Sequence, residues 1–121
     1  MRILVVQSDL SSRQTAQKVL KTLGHDIVVV EDGGDVPAVL EREPDIELVV
    51  LDAWAEGKGG IHLLRGLNGH SRPKVLITAG VGGGLSPIET EIVAETFGAD
   101  GVLQKPFEAD DLKAALGSLL N

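Results

Sequence analysis

Three side chains with complementary chemistry each stand at the end of an apolar run: the carboxylate of Asp52, the hydroxyl of Thr78 and the ammonium of Lys105. A carboxylate can attack phosphorus and form an acyl phosphate. An ammonium beside it can hold the charge of the incoming phosphoryl oxygens, and a hydroxyl can donate a hydrogen bond to one of them. If the fold brings the three together, the chain has the elements needed to phosphorylate an aspartate.

Five short apolar runs must position these groups. Most of the runs are rich in Val and Ile and nearly continuous, which is typical of parallel strands covered on both faces. They are RILVV (2–6), DIVVV (26–30), IELVVL (46–51), KVLIT (74–78) and GVLQ (101–104).

Helical patterns lie between these runs and after the last one. Apolar residues at helical spacing fall within 16–23, 36–40, 61–67, 88–97 and 112–119. Gly24 and Gly98 stand where a helix-ending glycine is expected. The alternation predicts a single (βα)5 domain over residues 1–121, a doubly wound α/β fold with a five-stranded parallel sheet in a flavodoxin-like, three-layer sandwich. Sites in such sheets lie beyond the carboxyl ends of the strands.

Composition excludes several classes of function. The chain has 121 residues, 43% of them hydrophobic, and a formal net charge of −7. A chain this acidic repels a phosphate backbone, so we expect no nucleic-acid partner. It has no cysteine, which excludes disulfides and thiolate metal sites. No apolar run approaches the roughly 18–20 residues of a membrane span, so we expect a cytoplasmic protein without a membrane partner.

Four stretches, in order and covering nearly the whole chain, resemble the receiver domain of bacterial two-component response regulators. The resemblance implies that Asp52 is the phosphoacceptor, Thr78 the switch hydroxyl and Lys105 the lysine beside them. It also implies that Mg²⁺ binds to Asp52 and to the backbone carbonyl of Trp54, and that Gly60 closes the following loop. The matching stretches are ILVV, LVVLDAWAEGKGG, VLITA and GADGVLQKPF.

The resemblance fails at the end of the first run, where Gln7 and Ser8 replace the two adjacent acids that hold Mg²⁺ in receivers. Mg²⁺ prefers carboxylate and other hard oxygen ligands, and Asp9 is the nearest remaining acid. Asp9 either joins the metal site or, as Ser8 also could, caps the following helix. We therefore expect Mg²⁺ to be weak or absent as a cofactor, Asp52 to pair closely with Lys105, and phosphorylation to be slow.

Two further departures concern signal output. Val102 stands where many receivers carry an aromatic ring that moves with the switch hydroxyl, so that coupling is missing or different here. The glycine-rich segment over residues 80–84 is either a flexible partner-binding or phosphate-cradling loop, or an ordinary solvated loop.

Two main functions remain open. One is a stand-alone receiver that accepts phosphate on Asp52 from a sensor histidine kinase or phosphotransfer protein and signals to a downstream protein. The other is a pseudo-receiver that binds partners without phosphorylation. A remote third is a small nucleotide- or flavin-binding protein, although the first loop lacks the phosphate-binding residues of flavodoxins. In the first two the chain is not an enzyme, apart from its own phosphorylation.

The resemblance also implies a partner face, formed by the fourth predicted helix, the fifth strand and the last helix. It would comprise parts of 87–97, 101–104 and 108–120. Val102, Pro106 and Phe107 are the residues we expect to contribute to it.

Overall fold

A five-stranded parallel sheet forms the centre of the computed structural model, which describes residues 1–7, 9–30, 36–52, 73–80, 92, 95 and 98–120. The strands are β1 (Arg2–Val6), β2 (Asp26–Val30), β3 (Ile46–Asp52), β4 (Lys74–Ala79) and β5 (Gly101–Gln104). Their order across the sheet is β2-β1-β3-β4-β5. The described helices are α1 (Leu10–Thr22), α2 (Val36–Arg42) and α3 (Ala109–Leu120). The predicted doubly wound α/β fold is confirmed.

All five predicted strands are present, and two of them are one residue longer than predicted. β3 extends to Asp52 and β4 to Ala79, so Asp52 and Thr78 are held within the ladder itself. The helices α1, α2 and α3 match the first, second and last predicted helices. The predicted third helix (61–67) lies outside the described residues, as do Trp54, Gly60 and the glycine-rich segment after residue 80.

Two hydrophobic cores lie on opposite faces of the sheet, because successive strand residues point to alternate faces. On the face covered by α1 and α3, called the α1/α3 face below, the core consists of Ile3, Val5, Ala16, Val19, Leu20, Leu48, Val50, Leu76, Phe107, Leu112, Leu116 and Leu119. On the opposite face, covered by α2, it consists of Leu4, Val6, Val36, Val39, Ile46, Val49, Leu51, Val75, Ile77 and Ala79. Each buried aliphatic side chain stabilises the fold by about 1.5–3 kcal/mol, so the strand ends are firmly placed.

Helix α1 has clear signals at both ends. Asp9 is its N-cap residue, and its Oδ2 accepts a hydrogen bond from the Ser12 amide at 2.9 Å. Such a cap contributes about 1 kcal/mol. Gly24 follows the last turn with a φ of +86°, a left-handed conformation that glycine adopts without strain.

Within the described part of the chain, no helix combines the length and apolar character that crossing a membrane requires.

Two glycines provide a matched test of the packing. A Cβ added at Gly101 would lie 3.3 Å from side-chain carbons of Leu76 and Leu119, whereas one added at Gly117, in α3, would meet nothing within 4 Å. We expect Gly101→Ala to lower the free energy of unfolding by about 1 kcal/mol through overpacking. We expect Gly117→Ala to raise it by about 0.5–1 kcal/mol, because alanine favours a helix over glycine. Urea unfolding measures both, and equal effects would contradict the described packing.

Candidate functional site

Four polar side chains come together at the carboxyl edge of the sheet, on the α1/α3 face. Gln7 follows β1, Asp52 ends β3, Thr78 lies in β4, and Lys105 follows β5. Asp52 and Thr78 are direct partners in the β3–β4 register. Strand side chains alternate between faces, and the residue two positions before each of the four packs into the core on the α1/α3 face: Val5, Val50, Leu76 and Leu103. The alternation therefore directs all four toward that face.

A single ammonium joins two carboxylates at this edge. Lys105 Nζ donates hydrogen bonds to Asp9 Oδ1 at 2.6 Å and to Asp52 Oδ2 at 2.9 Å. The side chains of Lys105 and Asp52 are only 14% and 5% exposed, so water screens their attraction weakly. The close pairing of Asp52 with Lys105 agrees with the sequence prediction, whereas the contact between Lys105 and Asp9 was not predicted.

The carboxylate of Asp9 has two separate partners. Its Oδ2 caps helix α1 and its Oδ1 accepts from Lys105. Partial burial by itself would raise the pKa of Asp9, but the hydrogen bonds from Lys105 and Ser12 and the positive charge of Lys105 outweigh it and lower the pKa to about 2. Capping of the helix, one of the two roles considered for Asp9, is observed.

The Gln7 side chain is fully buried and pairs with Thr78. Gln7 Nε2 donates to Thr78 Oγ1 at 2.9 Å, and Thr78 Oγ1 donates to Gln7 Oε1 at 3.1 Å. Both side chains are 0% exposed. Gln7 Nε2 also makes a longer contact of 3.4 Å with the Val50 carbonyl. Because β3 lies between β1 and β4, the Gln7 side chain must cross β3 to reach Thr78.

Backbone contacts hold the segments that carry these groups. The Lys105 amide donates to the Ala79 carbonyl at 2.7 Å, which ties the end of β5 to β4. The following Lys105–Pro106 peptide bond is cis. Arg13, on α1, donates from Nη1 to the Gln7 carbonyl at 3.3 Å. Both ends of the site are thus anchored by neighbouring elements.

Comparison with known proteins assigns this arrangement to a family. The sequence model of the response regulator receiver domain family matches residues 3–117 of this chain. The chain belongs to the response regulator receiver domain family. Receiver domains act in two-component signalling, and their acidic site typically binds Mg²⁺.

This receiver domain is similar to parts of longer proteins. The chain is 29% identical to the aerobic respiration control protein ArcA of Escherichia coli K12, over 98% of this chain and 48% of ArcA. It is 32% identical to part of the sensor histidine kinase AruS of Pseudomonas aeruginosa, over 98% of this chain and 12% of AruS. The crystal structure of NtrX from Brucella abortus superposes with a TM-score of 0.85 at 30% identity, over 98% of this chain and 26% of NtrX. This receiver domain spans about half the length of ArcA and less of the other two.

The described side chains do not fit the Mg²⁺ site that receiver domains typically have. Position 7 offers a neutral amide, and its nitrogen and oxygen both bond to Thr78. The two carboxylates, Asp9 and Asp52, both bond to Lys105. No group of three or more His, Cys, Asp or Glu that could hold a metal occurs among the residues described. The other predicted ligand, the Trp54 carbonyl, lies outside them.

The structure brings together four of the predicted site residues: Asp9, Asp52, Thr78 and Lys105. Of the three predicted partner-face residues, Pro106 is exposed. Phe107 is only 7% exposed and packs into the core on the α1/α3 face, whereas Val102 packs against the core on the opposite face.

Gln7 is the site residue whose role the sequence analysis missed. From the sequence alone, Gln7 indicates only the loss of a metal ligand. A signal was available, because a polar residue two positions after the buried Val5 must point to the same face as Asp52 and Thr78. The sequence does not indicate which group forms hydrogen bonds with the Gln7 amide.

Replacing Asp9 with Asn tests the ion pair without removing the cap, because Asn caps helices as well as Asp does. We expect the variant to lower the free energy of unfolding at neutral pH by at most about 1 kcal/mol, since Asp9 is 47% exposed and solvent screens the pair. Folding depresses the pKa of Asp9 from 3.8 to about 2. The stabilisation is therefore complete above the ordinary pKa and is lost as pH falls through the folded value.

Urea unfolding of wild type and Asp9→Asn at neutral pH and at about pH 3 measures this difference. Asp45→Asn is the matched control, because Asp45 is 69% exposed and lies 3.7 Å from Arg2. A wild-type advantage over Asp9→Asn that is as large in acid as at neutral pH would rule out the ion pair as its source.

Proposed function

We propose that this receiver domain transmits a two-component signal with Asp52 as its phosphoacceptor, in a site where Lys105 takes over much of the charge balance that Mg²⁺ provides in typical receivers. The observation that carries the proposal is the position of Lys105 Nζ, within 2.9 Å of Asp52 and 2.6 Å of Asp9. One ammonium thus faces both carboxylates. The groups proposed as nucleophile, hydroxyl donor and cation all lie at the carboxyl edge of the sheet.

The chemistry proposed for Asp52 is nucleophilic attack on phosphorus. A carboxylate oxygen forms a bond to the phosphorus of a phosphohistidine or of acetyl phosphate, and the bond from phosphorus to the donor breaks. Lys105 would stabilise the negative charge on the phosphoryl oxygens. To do so it must give up part of its contact with Asp52, which makes the reaction slow.

Weak metal binding follows from the same contacts. Mg²⁺ usually needs one or two carboxylates with retained waters. Here both described carboxylates already face an ammonium, and a cation brought to them would be repelled by Lys105. The neutral Gln7 adds no attraction. Mg²⁺ would therefore have to displace Lys105.

A second candidate function is a pseudo-receiver that binds its partners without phosphorylation. The Gln7–Thr78 pair favours it, because the hydroxyl that would contact a phosphoryl group already has a buried partner. In that case the fold and the site would serve to present the surfaces that bind its partners.

The proposed partners follow from the family and from charge. We propose a sensor histidine kinase or phosphotransfer protein as the phosphoryl donor and a protein as the downstream target. With a net charge of −7, direct binding of nucleic acid by this domain is disfavoured. A single domain over residues 1–121 and a cytoplasmic location complete the proposal.

Labelling with radioactive acetyl phosphate tests the function directly. Wild type should take up label slowly, and Asp52→Asn should take up none because the amide is not a nucleophile toward phosphorus. Asp26→Asn is the matched control, since Asp26 is exposed at the start of β2, and it should label like wild type. Equal labelling of wild type and Asp52→Asn would exclude Asp52 as the acceptor. No labelling of wild type, even from a phosphorylated phosphotransfer protein, would favour the pseudo-receiver.

A further inference from the structure

We propose that Gln7 is a positioning residue that fixes the hydroxyl of Thr78. The rotamer of Thr78 and the partner of its hydroxyl are then determined by Gln7 and not by phosphorylation of Asp52. The inference rests on the proposed function only in giving Thr78 the role of switch. Its physical basis is the fully buried pair that both polar atoms of the Gln7 amide make with one hydroxyl.

Gln7 and a phosphoryl group on Asp52 would compete for the single hydrogen of the Thr78 hydroxyl. A threonine hydroxyl has one hydrogen to donate, and Thr78 donates it to Gln7 Oε1 at 3.1 Å. To contact a phosphoryl oxygen on Asp52, its neighbour in the β3–β4 register, Thr78 would have to donate that same hydrogen. The two bonds therefore exclude each other.

Breaking the pair is costly because of where it lies. Gln7 and Thr78 are both 0% exposed, so water cannot replace a lost partner. Gln7 Oε1 would be left as a buried acceptor without a donor, which carries the full desolvation penalty of that group. Among the residues that the structure describes, no buried side-chain nitrogen or oxygen lacks a partner. A phosphoryl group at Asp52 must offset this penalty before it can move Thr78.

The amide is well suited to this role, whereas a carboxylate is not. An ionised carboxylate only accepts hydrogen bonds, while an amide both donates and accepts. An acid at position 7 would therefore keep the bond from the hydroxyl but lose the one from Nε2 at 2.9 Å. It would also carry a charge that draws it toward cations. Gln7 is neutral and does not titrate, so its hold on Thr78 is independent of metal and pH.

Nuclear magnetic resonance of the resting protein tests the proposal without any phosphorylation. The readouts are the χ1 rotamer of Thr78 and the exchange rate of its hydroxyl proton with water. In wild type we expect one rotamer and a slowly exchanging proton. In Gln7→Met, which removes both hydrogen bonds at similar volume, we expect rotamer averaging and exchange at least about tenfold faster. Gln14→Met makes the same chemical change at an exposed position of α1 and should leave Thr78 unchanged.

Gln7→Glu keeps the result interpretable if Gln7→Met does not fold, because it retains the acceptor and should give an intermediate exchange rate. Thr78 with one rotamer and a slowly exchanging proton in every folded Gln7 variant would overturn the proposal. These spectra do not depend on Asp52 being phosphorylated, so failure of the proposed function and failure of this inference are separate outcomes.

Response to beryllium fluoride, an analogue of the phosphoryl group, then measures the competition itself. When the analogue occupies Asp52, as judged from the resonances of Asp52 and Lys105, we expect the Thr78 methyl resonance of wild type to stay in place. In Gln7→Met, which leaves the Thr78 hydroxyl hydrogen free to bond to the analogue, it should shift. A shift of equal size in wild type would show that Gln7 does not hold the switch.

Discussion

The site depends on one ammonium, that of Lys105, placed between two carboxylates. Its positive charge offsets the repulsion between Asp9 and Asp52, which both accept a hydrogen bond from it. The parallel sheet makes the contact possible, because β1, β3 and β5 all end at the same edge and the Lys105 amide is tied to β4 through Ala79. The hydrophobic cores on the two faces of the sheet hold those strand ends in place. The distances of 2.6 and 2.9 Å from Lys105 Nζ to Asp9 and Asp52 therefore depend on the packing of the whole fold.

Replacing an acid with Gln7 changes more than the metal affinity. In receiver domains the acidic site typically binds Mg²⁺. Here a neutral amide turns toward the neighbouring hydroxyl instead. Under the functions proposed above, the same residue would weaken phosphorylation of Asp52 and also restrain Thr78. This physical link unites the two candidate functions: the more firmly Gln7 holds Thr78, the closer the domain comes to a pseudo-receiver.

Much of the fold could be predicted from sequence, because nearly continuous Val- and Ile-rich runs separated by helical stripes leave few alternatives to a parallel sheet. The order of Asp52, Thr78 and Lys105 at strand ends likewise predicted that they would meet. The contacts of Asp9 and Gln7 could not be predicted in the same way. Asp9 was a cap or a ligand by residue type alone, and only its distance from Lys105 showed a second partner. Gln7 forms a pair across an intervening strand with a residue 71 positions away, which no local pattern encodes.

We propose that Lys105, and not Mg²⁺, neutralises Asp52 in the resting protein. Its most direct test is the carbon resonance of the Asp52 carboxylate during a titration with Mg²⁺, assigned by its loss in Asp52→Asn. We expect no saturable shift at millimolar Mg²⁺ in wild type, and a saturable shift in Lys105→Met, where the two carboxylates lose the Lys105 ammonium. A saturable shift in wild type at millimolar Mg²⁺ would show that the metal reaches Asp52 despite Lys105 and make this a metal-dependent receiver with an unusual ligand set.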